Sequence, residues 1–496
     1  MIGKEPSDNQ QLENRVALRP CPARMNCDNP NMKSALMGKM VPAGLALAGG
    51  LVIFLWFGPG SERQLQERVP GTDRVEAAAN GPGLTGKWEG KLIPSNGVPA
   101  TLTGRWPGFR GPNLDGMSTD AVPLARSWGA GGPKVLWKID VGEGFAGAAI
   151  WQGRAFVMDY DRTAQADALR CLSLADGREI WRYTYPVKVK RNHGMSRSIP
   201  AVTDKYVIAM GPKCQVICLD PATGAYRWGL NLVREFNTEV PPWYAGQCPL
   251  IDGDRLILGT GGDALVAAVD CGTGAVLWRS PNPRNWQMTH SSLTPMEFQG
   301  RRMYVYCGSG GVAGVSAADG AILWDTTDWK ISIATIPSPL PVGDGRIFLC
   351  GGYNAGSLML QLKEAGGAWA AESLFRLKPA VFGAVQQTPI LYREHLLGVR
   401  PDGQLACLDL KGKSVWESGP GHRFGSGPFL IAQGMIYLMD DSGVLTLAEA
   451  SLEGYRQLAQ AKILPGPDSW GPMALADGRL IVRDMTQMAC LEVSRP

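Results

Sequence analysis

Histidine is scarce in this chain. Its 496 residues contain only His193, His290, His395 and His422, with no H-x-x-x-H spacing and no C-x-x-C pair, so a zinc site lacks its usual pattern of ligands. Charge is sparse too, at 19% of residues, with a net charge of +4 and the 49 Lys and Arg dispersed along the chain. A clustered basic footprint for phosphate backbones is therefore missing, and nucleic acid is not an expected partner. With 45% apolar residues the chain can bury a core and is not a disordered tail.

Long apolar runs are absent except one. Residues 40–58, MVPAGLALAGGLVIFLWFG, carry no charge and have about the length that spans a bilayer as a helix. Lys33 and Lys39 precede the run, Glu62 and Arg63 follow it, and Trp56 and Phe57 sit where interfacial aromatics belong. No small-residue cleavage site follows, which favours an uncleaved signal anchor with its N-terminus inside. The expected organisation is a cytoplasmic leader over 1–39, a transmembrane helix over 40–58, a flexible Gly/Pro-rich linker over 59–104 and a folded domain over 105–496. This places the chain in a bacterial inner membrane as a single-pass protein, its folded domain extracytoplasmic.

What is plentiful is glycine (63), proline (36) and tryptophan (16), without a Gly-X-Y period. Tryptophan recurs at Trp137, Trp181, Trp228, Trp278, Trp324 and Trp416, and Gly177, Gly224, Gly274, Gly320 and Gly412 each lie four residues before one of them. The local texts, such as CLSLADGREIW and CLDPATGAYRW, read as strand, tight turn, strand. Proline recurs at Pro200, Pro249, Pro295, Pro339, Pro389, Pro428 and Pro472, at spacings of 49, 46, 44, 50, 39 and 44 residues. Proline is tolerated where a strand opens, so each is expected to begin a unit of four short strands, the size of a propeller blade. The unit opened by Pro472 runs out of chain before its Trp, so the strand bearing Trp137 is expected to complete it. With a first unit opening near Ala148, the count is eight. Two units lack a clean motif: the fifth offers Trp369 or Phe375 and the seventh Tyr455.

On these residues the chain resembles the pyrroloquinoline-quinone-type repeat family of eight-bladed β-propellers. The resemblance covers roughly residues 105–495. The segment WPGFRGPNLDG, residues 106–116, resembles the lead-in of an anchored or exported bacterial subfamily. The expected fold is all-β: an eight-bladed β-propeller of four-stranded blades closed by an N-terminal strand and preceded by one transmembrane helix. The family includes quinone-dependent alcohol and sugar dehydrogenases and also non-enzymatic members of the BamB type. The resemblance therefore implies the fold and leaves the activity to the site. The family's dehydrogenases usually carry adjacent disulfide-bonded cysteines, a calcium-ligating set of Glu, Asn and Asp, and a catalytic Asp. No two of the 11 cysteines are adjacent here.

Cys171, Cys218, Cys407 and Cys490 fall at equivalent strand positions, where core packing explains them. Cys214 and Cys218 are too far apart along one strand to bridge, and no disulfide pairing follows from the sequence. Asp159, Asp161 and Asp167 lack the Gly and terminal Glu of a calcium loop and read as a charged hairpin. The Trp ladder reads as packing between blades. The connections between each ladder Trp and the next Pro are expected to converge on one face around the central channel. They hold the candidate ligand- or partner-binding residues: Arg191, His193, Arg197, Trp243, Tyr244, Trp286, His290, Trp329, Arg423 and Trp470, with Gln247, Gln386, Gln387, His422 and Asp468 beside them. The arginines suit a carboxylate or phosphate and the indoles a planar or sugar ring. No nucleophile and base pair can be assigned, and no metal site or catalytic residue is expected.

The expectation is a membrane-anchored, extracytoplasmic, monomeric scaffold that binds an envelope protein or small ligand without cofactor or catalysis. A quinoprotein alcohol or sugar dehydrogenase using pyrroloquinoline quinone with Ca²⁺ is the alternative. Another enzyme on the same scaffold, a lyase or hydrolase, and a glycan-binding module are weaker readings.

Overall fold

A computed structural model describes residues 90–129, 131–366 and 368–495, together with Gly49. The residues from 90 onward belong to one compact unit, Val69–Pro496. The leader, the apolar run and the linker up to residue 89 otherwise lie outside the described residues. No helix among the described residues is long and apolar enough to cross a membrane.

Eight antiparallel sheets follow one another along the chain. Blade 1 comprises Ala148–Trp151, Arg154–Asp161, Ala166–Ser173 and Glu179–Pro186. Blades 2 to 7 span 201–231, 250–279, 294–326, 340–377, 390–417 and 429–462. Blade 8 takes Ala474–Ala476, Arg479–Arg483 and Gln487–Glu492 from the C-terminal end, and its fourth strand is Lys134–Asp140, which pairs Trp137 with Cys490. The ring is thus closed by joining the two ends of the propeller sequence in one sheet, as the missing Trp near the C-terminus requires.

Both ladders have a physical cause. The outer strand of every blade carries a β-bulge beside the ladder position, which adds twist and re-aims the side chain there. Opposite the indole stands a small residue: Cys171 faces Trp181, Cys218 faces Trp228, Ala268 faces Trp278, Gly314 faces Trp324 and Cys407 faces Trp416. In blades 8, 1, 2, 3 and 5 the ladder ring then leans on the turn glycine of the following blade. A Cβ on Gly177, Gly224, Gly274, Gly320 or Gly412 would lie 2.5–2.8 Å from the ring of Trp137, Trp181, Trp228, Trp278 or Phe375, respectively. These glycines have φ between +72° and +84°, so turn geometry and close approach demand the same residue.

Phe375, not Trp369, therefore fills the ladder position of blade 5. In blade 7 the position belongs to Ala459, which corrects the expectation of Tyr455. Blade 8 receives its outer strand from far upstream and has no hairpin glycine for a large ring to meet. Tyr455 instead precedes the outer strand of blade 7 and packs against His422 and Phe424, with ring centroids 4.8 and 6.0 Å away.

The proline ladder marks a belt around the axis. Just before the inner strands, Ile199 N–H donates to Cys248 Sγ (3.3 Å) and Cys248 N–H to Ser292 Oγ (3.0 Å). Ser292 N–H then donates to Ser338 Oγ (3.2 Å), and Ser338 N–H to Thr388 Oγ1 (2.8 Å). Each small polar side chain satisfies a backbone donor of the preceding blade, linking blades 2 to 6 where the ring is narrowest.

Two features of the N-terminal flank were not expected. Residues 90–104, assigned to the flexible linker, are ordered: Lys91–Pro94 form a fifth strand on the outer edge of blade 1, with Leu92 opposite Tyr183 and Pro94 opposite Trp181. All four residues of that strand are exposed, so the sequence carries no apolar alternation to reveal it. The WPGFRGPNLDG segment, in turn, crosses the lower face of the ring, the face of the turns between first and second strands. Trp106 exchanges two backbone bonds with Ile150 of blade 1, Val202 N–H of blade 2 donates to Pro107 O (2.8 Å), and Ser118 N–H donates to Ile431 O of blade 7 (2.8 Å). Between these points Arg110 reaches the opposite side and donates to Thr388 O (2.9 Å) and Pro389 O (3.0 Å) of blade 6.

Candidate functional site

The strap leaves the axial channel open at one end only. Phe109 lines both a cavity of about 410 Å³ beneath blades 2 and 3 and a cavity of about 110 Å³ on the axis of the upper face, and so stands between them. The axial cavity is a blind pocket. Its walls come from almost every connection around the ring, with Phe145, Arg197, His290, Gln386, Gln387 and Trp470 nearest its chemistry.

At the mouth, Trp470 stacks on Phe145 with centroids 5.2 Å apart, and the His193 ring meets Trp470 at 5.4 Å and Phe145 at 5.5 Å. Trp470 is fixed by an indole N–H donated to Asp441 Oδ1 (2.6 Å), and Gln387 Nε2 donates to Trp470 O (3.3 Å). The Arg197 guanidinium lies 5.4 Å above the Phe145 ring centroid. Deeper in, His290 is pushed down to about 4 by burial and by the charge of Arg197, so it is neutral at physiological pH. Burial and Arg197 also lower His193, with Asp468 opposing.

The expected binding residues divide by environment. His193, Arg197, His290 and Trp470 converge on the pocket with Gln386 and Gln387, and Trp243 stands beside His290 at 6.4 Å between centroids. Arg191 and Arg423 are exposed on the rim, Arg191 in an ion pair with Glu143 (2.8 Å) and Arg423 donating to Asp402 O (3.1 Å). Trp286, Trp329 and Tyr244 are buried. Trp286 covers the glycine hairpin at Gly308–Gly311 and Trp329 joins the core of blades 4 and 5. The Tyr244 hydroxyl donates to Lys190 O (2.9 Å) and accepts from Lys190 N–H (2.8 Å), pinning the connection that carries His193. Gln247 is buried and holds Gly259 and Tyr306.

Sequence reasoning missed Phe109, Phe145 and Arg483. Arg483 is buried at the end of an apolar strand and donates to Gly142 O (3.0 Å), Ala146 O (2.9 Å) and Asp484 O (3.1 Å), which holds the loop bearing Phe145 over the channel. A lone arginine ending the run LIVR was the available signal. Asp159, Asp161 and Asp167 form no ligand set: Asp159 pairs with Arg170 (2.9 Å), Asp161 caps a turn, and Asp167 takes the Tyr185 hydroxyl (2.6 Å). Among the described residues no group of three or more His, Cys, Asp or Glu is placed to hold a metal. The nine described cysteines are buried and unpaired.

Fold and site together define an eight-bladed propeller with a blind axial pocket. Residues 165–417 match the family described as outer membrane protein assembly factor BamB, and the chain belongs to that family. BamB from Moraxella catarrhalis superposes with a TM-score of 0.51 at 14% identity, covering 72% of this chain and 99% of that one. Quinohemoprotein alcohol dehydrogenase from Comamonas testosteroni gives a TM-score of 0.46 at 12% identity, covering 79% and 81%. A europium-containing methanol dehydrogenase gives 0.43 at 13%, covering 76% and 89%. No curated protein matches the sequence.

Proposed function

We propose that this chain is a membrane-anchored, extracytoplasmic scaffold, acting as a monomer, that binds a protein or ligand through the upper face of its propeller and performs no catalysis. The observation that carries this reading is the axial pocket. It is lined by arginine, neutral histidine, amides and aromatics, and no carboxylate lines it. Chemistry in this pocket would need a general base, or the acidic ligands that calcium prefers, among its lining residues. At about 110 Å³ it is also a fraction of the roughly 300 Å³ at which pockets for drug-sized molecules begin. The residues present do not fit a quinone with its calcium ion. What remains is a rigid ring that presents loops, aromatics and a few donors, the usual basis of a recognition surface.

The test is site-specific photocrosslinking in membranes, with the reactive side chain at Trp243 or Tyr353 on the upper face and at Lys205 on a lower turn. A discrete crosslinked partner from the upper positions alone is the expected result. Equal products from both faces, or none from either, would overturn the assignment of the face. Loss of the protein from the membrane fraction on removing residues 1–58 tests the anchor, and its retention there would contradict it.

A further inference from the structure

Desolvation pulls three arginines in the propeller down to about 10: Arg110 and Arg197, which are partly buried, and Arg483, which is fully buried. Two are completely employed. Arg110 gives Nε to Leu114 O, Nη1 to Thr388 O and Nη2 to Asp115 O and Pro389 O. Arg483 likewise gives Nε, Nη1 and Nη2 to backbone carbonyls. Each is a brace whose charge is met by carbonyl dipoles on every side of the fork.

Arg197 differs. Only its Nη2 is used, toward Asn192 O (3.4 Å), His193 O (2.6 Å) and Gly194 O (3.1 Å), while its Nε is buried with no acceptor. The groups that favour its charge are the hydroxyls of Tyr353 and Tyr244, not a carboxylate. A shielded Nε is shared by Arg154, Arg400 and Arg479; what sets Arg197 apart is a guanidinium on a cavity wall whose Nη1 has no protein acceptor and whose charge no carboxylate meets, an arrangement that points to a group arriving from outside. The side chain lines the axial cavity, whose other polar groups are the Gln386 and Gln387 amides, Ser292 and His290. His290 adds no charge, so the pocket holds one net positive charge and neutral donors over an aromatic floor.

We propose that the axial pocket binds a single carboxylate on a compact group, with Nη1 of Arg197 as its principal donor, Gln386 and Gln387 as supporting donors, and Phe145 and Trp470 packing the apolar part. This deepens the scaffold reading and rests on it. A carboxylate accepts a charge-assisted hydrogen bond from Nη1, and one such charge neutralises Arg197 without leaving a second uncompensated. The volume admits the end of a molecule, such as a short free acid or the C-terminal residue of a protein chain.

The experiment is calorimetric titration of the full-length protein with acetate, N-acetylglycine, N-acetylphenylalanylglycine and, as the neutral control, N-acetylglycinamide. The carboxylates are expected to bind with dissociation constants on the order of 1 mM or tighter, and the amide to give no heat. Tighter binding of the dipeptide than of acetate assigns a chain terminus as the natural source, and equal binding a free acid. Arg197→Gln is expected to weaken carboxylate binding at least tenfold. Should that variant fail to fold, Gln386→Glu, which places a fixed negative charge in the same cavity, is expected to abolish binding. Equal binding of acid and amide, no heat from any acid with the protein folded, or unchanged binding in both variants would overturn the proposal. If it falls while upper-face crosslinks to a partner persist, the scaffold reading stands without it.

Discussion

Asp167 shows how much single side chains are asked to tolerate in this ring. It is fully buried in blade 1, its Oδ1 has no partner, and burial raises its carboxyl to about 8 despite the Tyr185 hydrogen bond. An unfolded aspartate releases its proton near 4, so between about pH 4 and 8 the native state holds more protons and stability falls as pH rises. Asp167→Asn keeps an acceptor for Tyr185 and removes the titration. In urea unfolding, its stability relative to wild type should climb from pH 5 to pH 8 by roughly 1–3 kcal/mol. A difference independent of pH would contradict the assignment. Arg483 makes the opposite case, a charge fully used as a brace, and Arg483→Met should cost about 3 kcal/mol or more by the same measurement. The run LIVR marked Arg483 only as an arginine ending an apolar strand and nothing marked Asp167, because the surroundings of a buried charge are set by the fold and not by its sequence neighbours.

At the scale of the blade, indoles beside the bulge pack between blades, whereas those in the connections divide between buried and exposed positions. Trp228 lies opposite Cys218 and against Gly274, with its indole N–H donated to Cys271 O (2.8 Å). Trp243 is partly exposed at the channel mouth. Trp228→Ala should therefore cost about 3–5 kcal/mol of stability and Trp243→Ala less than 1 kcal/mol in the same unfolding assay. Gly274→Ala, which adds a methyl 2.8 Å from the Trp228 ring at φ +76°, should cost about 1–3 kcal/mol, and a neutral result would break the proposed stack. The ladder was legible before the structure because both partners of the contact, the turn glycine and the indole, recur at fixed spacing. Trp286 and Trp329 were not distinguishable from Trp243 by sequence. All three sit in connections, and only the fold decides which are covered by a neighbouring hairpin. Tyr455 misled for a related reason: blade 7 faces a blade whose outer strand is not joined by a hairpin, so its ladder position needs no ring and holds Ala459.

Over the whole molecule, the ring is fastened twice. Lys134–Asp140 completes blade 8, and the segment around Arg110 straps the lower face from blades 1 and 2 to blades 6 and 7. The first fastening followed from counting strands. The second did not, since the WPGFRGPNLDG segment was expected only as a lead-in to the propeller, and its course across the ring is set by hydrogen bonds to residues far along the chain. The strap matters for function because it stops the channel with Phe109 and leaves a small, one-ended pocket on the upper face. Binding without quinone chemistry is the central claim built on that geometry. It is tested most directly by calorimetric titration of pyrroloquinoline quinone into the folded full-length protein, with and without calcium. The account predicts no saturable, calcium-dependent heat. Micromolar or tighter binding that requires calcium would contradict it and would make the axial pocket a cofactor site.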